Sequence, residues 1–142
     1  AKLVHDLNAM SVSEIDEFDY ETRIGAYEKI NMKLFSEMKE SHAVVILSHC
    51  VYDMSSEELL LRQSASKSLL AFVQLSSVVL DNSCKKSADQ QSSGRNHENN
   101  SGVIVTIEPD CCWTIAAIHR TIHKFFLLHM REAMGQAIFI QK

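Results

Sequence analysis

Residues 42–73 read HAVVILSHCVYDMSSEELLLRQSASKSLLAFV, two apolar runs with neither proline nor glycine between them. In the first, Ala43, Ile46, Leu47, Cys50, Val51 and Met54 recur at intervals of about three and four, while Ser48, His49 and Asp53 fall on the other side. That period marks an amphipathic helix. The spacing of Ser55 and Glu58 then predicts a capping box, the Ser55 hydroxyl accepting from the Glu58 amide and the Glu58 carboxylate reaching back to the Ser55 amide. A second helix follows through Leu61, Ala65, Leu69 and Phe72 to about Leu80, and Leu59, Leu70 and Val73 widen its apolar face. So wide a stripe needs cover on more than one side. Two helices joined by about two residues form an αα-hairpin, the unit of helical solenoids, which cannot bury its own faces alone.

The remainder of the chain is compatible with that unit. Only one proline and four glycines occur in 142 residues, too few for the tight turns of a sandwich or barrel. Residues 1–17 form a mixed, irregular lead-in. From Asp19, the residues Tyr20, Ile24, Tyr27, Leu34, Phe35 and Met38 follow a helical period, with a break near Asn31. Residues 82–108 are expected to be a polar disordered loop ending in the β-prone VIVTI, because serine, asparagine and glutamine bury too little surface to offset the entropy of ordering. Pro109 suits a first helical position, opening a helix through Ile115, Ile118, Ile122, Phe125, Phe126, His129, Met130 and Ala133 that ends near Gly135. The chain thus divides into a lead-in at 1–17, helical segments at 18–81 and 109–142, and the loop between them. It begins without methionine and stops on an apolar stretch, as expected of a piece of something longer.

The formal charge of -4 gives no broad positive footprint, so this segment is expected to be a poor direct binder of RNA. Cys50, Cys84, Cys111 and Cys112 match neither a zinc spacing nor a small disulfide framework, which favours reduced thiols in an intracellular compartment. No run reaches the roughly 20 apolar residues that span a bilayer, and the first ten residues lack the apolar centre of a signal peptide.

Candidate chemistry is sparse. His119 and His123 stand i,i+4, with His129 beyond them, but no HExxH glutamate or third ligand at a fixed spacing accompanies them, so no metal site is expected. His49, Cys50 and Asp53 evoke a nucleophile and its base. Cys50, however, belongs to the apolar stripe and His49 points about 100° away, which makes a buried structural thiol the better reading. Cys111 and Cys112 before Trp113 could feel a helix dipole, yet vicinal cysteines more often simply pack. Lys85, Lys86 and Arg95 are diluted by Asp81, Asp89 and Glu98. No enzyme and no cofactor are expected.

Glu58, Leu61, Arg62, Ala65 and Leu69 stand at the spacing of the HEAT B-helix pattern, an acidic residue followed by VR..A...L. Leu61, Ala65 and Leu69 make one ridge, Ala65 permits close helix approach, and Glu58 to Arg62 is an i,i+4 ion pair. Leu59 stands where that pattern often has proline. The runs FDYETRIGAYEKI, residues 42–73 and CWTIAAIHRTIHKFFLLHMREAMG together resemble the large HEAT-repeat protein family of the small-subunit processome, also called down-regulated in metastasis. The likeness covers about 18–80 and 111–135. It implies an all-α, HEAT-like α-solenoid fragment of stacked antiparallel helix pairs, serving as a scaffold without catalysis. It also implies the nucleolus, with processome proteins and the U3 small nucleolar ribonucleoprotein as partners in early processing of ribosomal RNA. The rival is a freestanding small helical bundle that binds a partner helix or small ligand.

Overall fold

In a computed structural model of the chain, which describes residues 2–15, 17–89 and 113–140, six helices pack on one another. They are α1 (Lys2–Leu7), α2 (Tyr20–Glu28), α3 (Met32–Glu37), α4 (Glu40–Asp53), α5 (Leu59–Asp89) and α6 (Ile115–Ile140). No strand occurs among the described residues, and an isolated antiparallel bridge joins Met10 to Phe18. The fold is all-α.

Three of the helices start where a short polar side chain satisfies a free amide, whereas α4 opens at Lys39 without a side-chain cap. Asp19 opens α2, its carboxylate accepting from the Thr22 hydroxyl at 2.6 Å and the Thr22 amide at 3.0 Å. Those two bonds hold the Asp19 carboxyl below its ordinary range. Asn31 accepts from the Leu34 amide at 2.8 Å and begins α3, so the expected break near Asn31 is present. Thr114 does the same for α6, accepting from the Ala117 amide at 3.1 Å.

α5 is the central element, packing against α2, α3, α4 and α6. Leu61, Ala65, Ala71, Phe72, Leu75 and Val79 are its buried face, and they share one core with Ala26, Tyr27, Phe35, Ala43, Ile46, Leu47, Cys50, Trp113, Ala117 and Ile118. Three rings bind separate elements into that core. Phe35 of α3 lies 5.3 Å from Phe72 of α5, which lies 5.6 Å from Trp113, both pairs edge to face. The Trp113 indole N–H also donates to the Phe35 carbonyl at 2.6 Å, so the start of α6 is fastened to α3 across 78 positions of sequence.

Four expectations are corrected. Residues 2–7 are helical, Leu7 is fully buried and Leu3 packs against the same core, so the lead-in belongs to the fold; two apolar contacts in one short helix are too little signal for a period. α5 runs to Asp89 rather than ending near Leu80, because 81–89 hold neither glycine nor proline; within it Ser83 hydrogen-bonds back to the Val79 carbonyl. The loop expected over 82–108 is therefore helical over its first residues, and 90–108, with VIVTI, lie outside the described residues, as do Pro109, Cys111 and Cys112. α6 continues past Gly135 to Ile140, since one helical glycine costs only about 1 kcal/mol against alanine. Finally, the capping box does not form. The Ser55 hydroxyl turns back to the Tyr52 carbonyl, and the Glu58 amide donates to Ser56 Oγ at 3.2 Å.

Candidate interaction surface

Among the described residues, buried charge gathers where α2 meets the end of α4. Arg23 and Tyr27 stand i,i+4 on α2, and opposite them Asp53 is only 2% exposed. The Tyr27 hydroxyl donates to Asp53 at 2.5 Å, while an Arg23 guanidinium nitrogen lies 3.6 Å from the other carboxylate oxygen. Arg23 Nε also donates to the Ala9 carbonyl at 2.9 Å, and its guanidinium lies 4.0 Å above the Phe18 ring. Ser68 of α5 closes the group by donating to the Tyr27 carbonyl at 3.3 Å. Asp53, expected on the polar side of its helix, is instead buried. Its position supplied the signal, since it lies three residues after Cys50 and seven after Ile46, on the apolar stripe itself.

This knot has the chemistry of a structural clamp. Burial and the adjoining carboxylate push the Tyr27 phenol far above its ordinary range. Burial, reinforced by Asp53, pushes the Cys50 thiol up to about 12, so little nucleophilic thiolate exists at neutral pH. His49 is half-buried, its imidazole 3.4 Å from the Asn8 amide, and desolvation lowers its pKa. His119, His123 and His129 are exposed on α6. Among the described residues no three His, Cys, Asp or Glu side chains gather where a metal could bind, and no helix is long and apolar enough to cross a membrane.

Of the HEAT-like residues, Leu61 and Ala65 are fully buried and Leu69 is half-buried at the margin of the core. Glu58 and Arg62 do not pair. Glu58 opens α5, its carboxylate accepting from the Leu60 amide at 3.3 Å, while Arg62 Nη1 donates to the carbonyls of Ser56 and Glu57 at 2.9 and 3.4 Å. The arginine thus closes the link between α4 and α5, a use open to it because carbonyls of the approaching chain lie within reach of its fork.

The surface carries more large apolar side chains than the core requires. On α5, Leu59, Leu70, Val73 and Leu80 are exposed beside half-buried Leu69. On α6, the first half packs inward through Ala117, Ile118 and Thr121, held by a bidentate Arg120–Glu40 pair at 2.6 and 3.1 Å. Beyond it Ile122, Phe126, Leu127 and Leu128 stand in the open, pointing in several directions around the helix. A helix apolar on many sides is ordinarily a buried one.

The sequence model of the family described as U3 small nucleolar RNA-associated protein 20, N-terminal, matches residues 1–93. The matched part takes in the lead-in and α1 to α5, and α6 lies outside it. No curated protein and no solved structure matches the chain at a significant level. A match over well more than half of 142 residues, laid on five helices that share one core, is decisive: the chain belongs to the U3 small nucleolar RNA-associated protein 20 family, in its N-terminal part.

Proposed function

We propose that the chain is a non-enzymatic scaffold segment of a nucleolar ribosome-biogenesis factor acting in small-subunit pre-ribosomal RNA processing. The observation that carries the reading is the contrast between a closed core and the open apolar faces of α5 and α6, on a chain of a U3-associated family. Faces of that kind are what stacked helix pairs bury between them, so the α4–α5 unit acts as one layer of a HEAT-like solenoid. Glu58, Leu61, Arg62, Ala65 and Leu69 serve in it as the structural motif, Leu61 and Ala65 as ridge, Arg62 and Glu58 as the fastening of the turn. Processome proteins and the U3 particle are the partners. RNA contact falls to other parts of the parent, because this segment is acidic.

Capture of the tagged parent protein from cells tests the reading. It should concentrate in the nucleolus and bring down U3 RNA, and its depletion should leave the early cleavages around the small-subunit RNA incomplete. A parent spread through the cytoplasm without pre-ribosomal RNA would reject the scaffold role in favour of the freestanding bundle.

A further inference from the structure

Between α1 and α2 the chain makes a braced projection. The Ser11 amide donates to the Glu17 carbonyl at 2.8 Å and the Asp19 amide to the Ala9 carbonyl at 3.2 Å, beside the Met10–Phe18 bridge. Arg23 clamps its base through Ala9 and the Phe18 ring. On this braced base Val12 and Ile15 are 103% and 94% exposed, more open than any other large apolar side chains described. Glu14 and Glu17 beside them are exposed and form no ion pair among the described residues. The hydrogen bond and charge of the neighbouring Glu14 raise the Glu17 pKa, and Arg23, the cation at the base of the projection, is taken up by Ala9, Phe18 and Asp53.

The complementary surface lies on α6. Leu127 is 48% exposed, and Lys124 and Arg131, three residues before it and four after, share its face. Phe126, 57% exposed, and Ile122 one turn before it continue the apolar strip alongside. Lys124 and Arg131 are exposed and form no ion pair among the described residues; Arg120 is bonded to Glu40, and the charge of Lys124 also reaches that carboxylate. One surface is an acidic, aliphatic peg, the other a basic, apolar seat. α6 packs on α4 and α5, while the peg joins α1 to α2.

We infer that this chain associates head to tail with a second copy of itself, Val12 and Ile15 of one molecule seating against Phe126 and Leu127 of the next, with Glu14 and Glu17 facing Lys124 and Arg131. Two different patches make the contact, so it is heterologous and leaves one peg and one seat free at the ends of every chain of molecules. The peg is small and the association correspondingly weak, whereas the bracing of its base lowers the ordering cost of binding. Opposed charges make it sensitive to salt. This inference concerns the 142-residue chain by itself and competes with the scaffold reading for the α6 face, which neighbouring helices would cover in a longer solenoid, so failure of self-association leaves the capture experiment above unaffected.

Sedimentation velocity of the 142-residue chain tests it, from roughly ten to several hundred micromolar, the range in which small transient interfaces form. The sedimentation coefficient should rise with concentration past that of a dimer, and less so in high salt. Ile15→Lys and Leu127→Glu change exposed positions and should keep the circular dichroism of the parent sequence. Each alone should be monomeric, its affinity for itself reduced at least about tenfold. An equimolar mixture of the two should form a one-to-one complex and nothing larger, because the Ile15 variant keeps its seat and the Leu127 variant its peg. A chain that stays monomeric throughout, a variant that associates as the original does, or a mixture that remains monomeric would each overturn the proposal. The last, with both single variants monomeric, would indicate symmetric contact of like surfaces instead.

Discussion

The carboxylate of Asp53 accepts from Tyr27 and faces Arg23 in a space almost closed to water, so each of the three depends on the other two. Removing one member of a buried pair leaves a charge without compensation, at a cost of about 3–5 kcal/mol, far more than the pair's own net contribution. Asp53→Ala should therefore lower unfolding free energy in urea by that amount; a loss under about 1 kcal/mol would mean that water reaches Arg23 and substitutes for the carboxylate. Cys50, in the same pocket, predicts the alkaline behaviour. Its folded pKa of about 12 lies above the ordinary 9.0, so the fold favours the protonated thiol. That contribution is fully present below pH 9 and declines as the pH rises towards 12, at up to about 1.4 kcal/mol per pH unit for one proton. Urea titrations across this range should show the decline, and Cys50→Ala should make it shallower; identical slopes would place the alkaline loss elsewhere, with the Tyr27 phenol the next group to examine.

At the scale of the element, the start of α5 separates two uses of one arginine. An exposed Glu58–Arg62 pair would contribute only about 0.3–0.5 kcal/mol, and either partner's removal would cost the same. The observed bonds instead run from Arg62 to two backbone carbonyls, with Glu58 serving the helix start. Hydrogen bonds from a charged donor contribute about 1.5–3 kcal/mol. Arg62→Ala should accordingly cost about 1–2 kcal/mol, reduced because the side chain is only half-buried, and Arg62→Ala combined with Glu58→Ala should be additive. A double-mutant cycle in thermal or urea unfolding reads this directly. A coupling energy of about half a kcal/mol or more between the two would restore the ion pair.

For the molecule as a whole, Trp113 is the fastening that brings α6, from outside the family match, onto helices within it. It is nearly fully buried, stacks edge to face on Phe72 and donates to the Phe35 carbonyl. Trp113→Ala should cost about 3–5 kcal/mol. The loss should be uneven: amide hydrogen exchange ought to quicken through α6 well before α2, whose anchor is the Arg23–Tyr27–Asp53 knot rather than the aromatic row. Equal acceleration in both helices would show that α6 and the body open as one cooperative unit.

Periodicity alone was enough for the helical class, the break at Asn31, the α4 and α5 stripes and the buried state of Cys50, because side chains at i, i+3 and i+4 share a face whatever lies opposite. What spacing could not decide was which polar groups would find partners across the fold. Asp53 is tolerable on an apolar face only because α2 brings Arg23 and Tyr27 to it from 30 and 26 residues away. Arg62 left its helical neighbour Glu58 for two carbonyls of the preceding link, an option created by the path of the chain between α4 and α5. The lead-in became part of the body because Arg23 and the core offered places for Ala9 and Leu7. Local preference acts along the helix, whereas burial of charge and capture of loops depend on what the rest of the chain delivers to the same point in space.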